Sequence, residues 1–110
     1  LKKENQCEQY SFQLKLLMNV EEMKKYPFTK MVIEKGMTEQ EYNETLGLLE
    51  LLDDTYKEEL EYGLIDHSSL LLHYAGMLCS KLPVEGSLQA LEGEGLYPEL
   101  AKKLLQLKDI

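Results

Sequence analysis

The chain has 110 residues, 44% of them hydrophobic, and a formal net charge of −8. That size and balance fit one globular domain that buries about two-thirds of its unfolded surface without a covalent staple. All twelve basic residues are lysine; lacking the bidentate guanidinium and repelling polyanions, the composition argues against a nucleic-acid partner.

No aliphatic run exceeds a few residues, Leu70–Leu72 being typical, whereas a membrane span needs roughly 20. With no signal-like apolar segment either, no membrane partner and a cytoplasmic location are expected. Charge is unevenly spread. Residues 1–35 carry seven lysines against five acids, net +2; residues 36–99 carry two lysines against fourteen acids, net −12; residues 100–110 are net +2. Such asymmetry can orient packing or association between copies.

Apolar spacing of helical period runs nearly end to end, with no alternating strand pattern in competition. The predicted fold is all-α, a compact bundle of five to six helices with a long N-terminal helix. Lys3 to Lys24 lacks Gly and Pro and reads as one helix, halted ahead of Tyr26-Pro27 because the residue before proline is pushed out of helical geometry. A short helix from Phe28 to Lys35 stops at Gly36. Thr38 and Glu41 form an S/T-x-x-E capping box that opens a third helix, Glu39 to about Tyr62, stopped at Gly63. Asp66 caps a fourth, His67 to about Leu82, ended by Pro83. A fifth runs from Val84 to about Glu92, and Pro98 opens the last, to about Leu107. No linker-like stretch divides the chain, so residues 1–110 are expected to form one domain, with 1–25 as an oligomerisation element and 26–110 as the helical core.

Gly36-Met37, Gly63-Leu64 and Gly95-Leu96 share one form, a glycine just past a helix followed by a large apolar residue. This is the pattern of a Schellman stop. The spacings, 27 and 32 residues, differ, so the pattern marks a common way of ending helices and not a repeat.

The first helix carries two opposed apolar stripes. Cys7, Tyr10, Leu14, Leu17 and Met18 lie on one side; Phe12, Leu16, Val20 and Met23 lie nearly opposite. An ordinary surface helix has a single stripe, so this one is expected to be covered twice, by its own domain and by a second copy or else wholly within one monomer. Tyr42, Leu46, Leu49, Leu52, Tyr56 and Leu60 form the core stripe of the third helix, and Leu71, Tyr74, Ala75, Leu78 and Leu82 that of the fourth.

Signatures of chemistry are missing. His67 and His73 lie about 120° apart on a helix and cannot share a metal, and neither stands in H-x-x-x-H or E-x-x-H spacing. His67 is expected to be an exposed first-turn residue and His73 to meet a polar group near the core. Cys7 and Cys79 are too few for a zinc site or disulfide framework and read as small buried hydrophobes. Gly93-Glu94-Gly95 reads as a turn, since no strand precedes it and its acid repels phosphate. There is no nucleophile elbow or Walker loop. No catalytic residue, metal or cofactor is expected. One surface feature departs from local rules. Asp53, Asp54, Glu58, Glu59 and Glu61 crowd the last half of the third helix, answered only by Lys57, although carboxylates are disfavoured at the negative end of the helix dipole by about 0.3–1 kcal/mol each. A solvated face explains it, and so does a lysine-bearing partner.

Tyr26-Pro27-Phe28, then Ile33 to Thr38 leading to Glu41, and later Glu94-Gly95-Leu96-Tyr97-Pro98-Glu99-Leu100 resemble the YhaI-like family of uncharacterised proteins from Bacillus-type bacteria, over most of the chain and in the same order of helices. The resemblance implies an all-helical, cytoplasmic bacterial protein without an assigned activity, and supplies no catalytic residue. The leading functional expectation is a non-enzymatic structural or interaction domain that forms a homo-oligomer through Tyr10, Leu14, Leu17 and Met18. The alternative is an acidic adaptor that docks a basic protein through Asp53, Asp54, Glu58, Glu59 and Glu61.

Overall fold

A computed structural model describes residues 2–108, and every regular element in it is helical. The order is α1 (Lys2–Met18), a 3-10 turn (Glu21–Lys25), α2 (Pro27–Glu34), α3 (Glu39–Glu61), α4 (Ser68–Met77), α5 (Val84–Glu94) and α6 (Pro98–Lys108).

Local signals place most of these ends. Gly36, Gly63 and Gly95 have φ of 67°, 75° and 80°. After each, the paired stop bonds close: Met37 N–H to the Val32 carbonyl, Leu64 N–H to Glu59, and Leu96 N–H to Leu91, at 2.9–3.1 Å. These are full Schellman motifs. The predicted capping box is present at the start of α3. The Glu41 N–H donates to Thr38 Oγ1 at 3.1 Å, and the Thr38 N–H donates to Glu41 Oε1 at 2.9 Å. Only three residues join α5 to α6, and this tight link holds Tyr97 at φ 46°, unusual for a bulky residue.

The expected long N-terminal helix is corrected. α1 ends at Met18 after 17 residues, and the longest helix is the central α3, with 23. The lack of Gly and Pro misled because Asn19 and Val20 are both weak helix formers. Val20 is extended, at ψ 138°, and the chain restarts as a 3-10 turn. The pairs Lys24–Glu21 and Lys25–Glu22, at 3.2 and 3.1 Å, are spaced i,i+3 and so match the three residues per turn of that geometry. The fourth helix is also shorter than expected. The Ser68 N–H donates to Asp66 Oδ1 at 3.0 Å, and the helix stops at Met77, where Leu78 turns extended. Leaving the helix lets Lys81 reach the α2–α3 corner, donating to the Gly36 carbonyl at 3.0 Å and to Glu41 at 2.7 Å, while Leu82 still enters the core.

The buried cluster joins α2 through α6: Phe28, Leu49, Leu52, Leu70, Tyr74, Leu82, Leu88, Leu91, Leu100 and Leu104 are its large members. Each such side chain contributes about 1.5–3 kcal/mol on full burial. Helix α5 is central, packing on both α2 and α6. Close approach to α2 needs Gly93, where an added Cβ would come within 3.1 Å of the Pro27 ring. Gly93 and Glu94 therefore belong to α5, correcting the predicted turn. Glu94 has a further task. Its carboxylate accepts from the Thr29 N–H at 2.8 Å and from the Thr29 hydroxyl at 2.9 Å, so α5 caps the start of α2, whose own N-cap residue, Tyr26, offers no side-chain cap.

The expected compact shape is corrected too. The radius of gyration is 16.6 Å and the extents are 60 × 26 × 22 Å, against roughly 13 Å for a compact chain of this length. The main packed pairs of helices are α2–α5, α5–α6, α3–α4, α4–α6 and α3–α6, and α1 is in none of them.

Candidate interaction surface

Helix α1 presents its apolar side chains to solvent. Tyr10 and Leu17 are 59% and 58% exposed, and Leu14, Phe12 and Leu16 are exposed as well. Met18 is half-buried. Leu14 and Met18 line one wall of an open groove of about 450 Å³, with Ile33 and Glu34 of α2 on the other. The second stripe is cut short, because Val20 and Met23 fall beyond the end of the helix. Cys7 is exposed on α1, against the expectation of a buried thiol, and Cys79 is half-buried.

The acidic group at the end of α3 is not one surface. Asp53 pairs with Lys57 at 3.0 Å, and its side chain is largely covered. That hydrogen bond, reinforced by the Asp53 charge, raises the Lys57 pKa. Glu59 turns away from the others, toward α4. Asp54, Glu58 and Glu61 remain exposed, and their i, i+4, i+7 spacing puts them on one side of the helix. No basic residue stands in the last turn of α3 to answer them.

Glu59 meets His67. The His67 Nδ1 lies 2.6 Å from Glu59 Oε1, and the imidazole is only 3% exposed. Tyr56 packs edge-on against the same ring, centroids 5.0 Å apart at 83°. Both histidine expectations are overturned, since His67 is buried and His73 is exposed. No helical spacing links residues on opposite sides of the Gly63 stop, so the sequence carries no signal for this pairing.

A second polar junction ties α3 to the segment after α4. The Glu41 pKa falls to about 2, first because Lys81 donates to its carboxylate and then because the Thr38 N–H does. The Cys79 thiol lies 3.6 Å from the same carboxylate. Both junctions hold helices together. Among the described residues, no group of three or more His, Cys, Asp and Glu is placed to hold a metal ion. No helix there is long and apolar enough to cross a membrane.

The model of the family described as "Protein of unknown function (DUF1878)" matches residues 1–108, and the chain belongs to that family.

Proposed function

We propose that this member of the DUF1878 family is a non-enzymatic protein-interaction domain that self-associates through α1. One observation carries the reading: Tyr10, Leu14 and Leu17 lie exposed on a helix that belongs to none of the main packed pairs. Isolated helices of this length are marginal in water, and a contiguous apolar face gains about 25 cal/mol per Å² when covered. A second copy supplies that cover. The narrower kinship with YhaI-like proteins of Bacillus-type bacteria, and a cytoplasmic setting, accompany this reading.

Sedimentation equilibrium at tens of micromolar tests it. Wild type is expected to sediment as a dimer or larger, and Leu14→Glu as a monomer of unchanged helix content. A monomeric wild type at that concentration sinks the proposal.

A second reading, an acidic adaptor for a basic protein, draws on the unanswered face of Asp54, Glu58 and Glu61. Its partner would be captured at low salt, released at high salt, and lost with the triple variant Asp54→Asn, Glu58→Gln, Glu61→Gln. Capture that ignores both salt and substitution counts against it.

A further inference from the structure

Two side chains of α2 stand apart from the packing of that helix. Ile33 is 38% exposed and belongs neither to the buried cluster nor to the half-buried side chains packed on it. Glu34 is exposed beside it. Both line the open groove of about 450 Å³ between α2 and α1. The facing wall is Ser11, Leu14, Lys15 and Met18, which stand at i, i+3, i+4 and i+7 and so form one side of α1. The two walls match in kind. Leucine and methionine lie opposite isoleucine, and an ammonium lies opposite a carboxylate. Among the described residues, neither Lys15 nor Glu34 has an ion-pair partner. The joint at the end of the groove is slight. Asn19 lines it, and α1 ends in two i→i−3 bonds, from the Asn19 N–H to Leu16 and from the Val20 N–H to Leu17, at 3.2 and 3.1 Å. Val20 is extended, and no main packed pair of helices includes α1. A hinge needs no more than a few such element-terminal residues to absorb a change of φ and ψ.

We propose that in the monomer α1 is a strap that closes on α2 by rotation at Asn19–Val20, pairing Lys15 with Glu34 and packing Leu14 and Met18 on Ile33. Closure thereby withholds Leu14 and Met18 from a second copy. Tyr10 and Leu17 lie beyond Leu14 on the side of α1 away from the groove, and they stay outward. The apolar contact drives closure by removing both walls from water. The ion pair fixes its register, since an exposed pair is worth little alone. The withholding rests on the self-association proposed above, whereas the closure itself does not.

Amide exchange at a dilution where sedimentation velocity gives a monomer tests closure. Glu34→Lys is the informative variant, because it lies outside α1 and places a favourable charge at the C-terminal end of α2. It is expected to speed exchange from Leu14 to Met18 by about two- to fivefold, the range an exposed ion pair supplies, and to leave α3 to α6 unchanged. Ile33→Ala, which removes the apolar wall, is expected to act on the same amides. Lys15→Glu speeds them too, and the double variant Lys15→Glu/Glu34→Lys is expected to exchange more slowly than Lys15→Glu alone by a similar factor. Wild-type rates in α1 for either Glu34→Lys or Ile33→Ala overturn closure, and so does a double variant no slower than Lys15→Glu. Sedimentation equilibrium tests the withholding. Glu34→Lys is expected to self-associate at a lower concentration than wild type, because its strap is open more of the time, and an equal or higher concentration overturns the withholding. A wild type that stays monomeric at every concentration removes the self-association and the withholding with it, while the exchange rates still decide closure.

Discussion

His67 and Glu59 meet at 2.6 Å across the stop that ends α3, the imidazole buried and the carboxylate mostly covered. The pair fastens the start of α4 to the end of α3, with Tyr56 against the ring. His67→Ala removes the buried ring and strands a carboxylate, a loss of roughly 2–3 kcal/mol. Glu59→Gln keeps an acceptor for an Nδ1–H donor and costs about 1 kcal/mol. Urea midpoints of the two variants check the order. An His67→Ala midpoint equal to wild type would show that the pair holds nothing.

Tyr74 and Ser87 form the buried polar contact between α4 and α5, with hydroxyls 2.7 Å apart, and Ser87 also donates to the Val84 carbonyl at 2.9 Å. Truncation should be asymmetric. Tyr74→Phe leaves Ser87 satisfied and costs about 1 kcal/mol, whereas Ser87→Ala orphans a buried phenol and costs roughly 1–3 kcal/mol. Burial raises the Tyr74 pKa above its ordinary 10.0. The folded state therefore holds this proton more tightly than the unfolded chain does. The associated stability is complete below pH 10 and is lost as pH rises above it. Thermal midpoints between pH 8 and 11 should fall less steeply in Tyr74→Phe than in wild type.

Glu94 acts as a remote cap for α2. Glu94→Ala leaves the Thr29 N–H without its acceptor and should cost about 1–2 kcal/mol. Amide exchange at Thr29 should accelerate more than exchange in α6. Uniform acceleration across all helices would mean that Glu94 supports general packing and not the start of α2.

Glu41 links stability to acid. Its pKa of about 2, against the ordinary 4.5, is held down by Lys81 and the Thr38 N–H. A depressed carboxylate stabilises the fold above its unfolded value, and that contribution disappears as pH falls from about 4.5 toward 2. Lys81→Ala should flatten the acid limb of the stability curve over this interval and leave the slope near neutral pH unchanged. An acid limb as steep as that of wild type rules out the link. Thr38→Ala, which removes the other half of the box, should cost about 1 kcal/mol.

Much of the fold was legible from short-range chemistry. Glycines followed by apolar residues marked three helix ends, and Thr38 with Glu41 and Pro98 marked two starts, because each device is completed within four or five residues of chain. Local errors arose at three places: Asn19-Val20 breaks α1 without Gly or Pro, Leu78 leaves α4 five residues before Pro83, and Gly93-Glu94 continue α5 where a turn was expected. The first-helix stripe was readable as apolar, and so was the acidity of the α3 end.

What only the tertiary structure decided is which of these groups are answered. Glu59 reaches back across a turn to His67, Glu94 reaches 65 residues back to Thr29, and Asp53 keeps Lys57 while Asp54, Glu58 and Glu61 stay in solvent. Composition and period state what a helix offers on each side. They do not state what faces it, because the partners lie far apart in the chain and are brought together by packing of the common core. That is why α4 read as an ordinary core helix in sequence, and why only the packing shows how far Leu14, Leu17 and Leu72 are exposed.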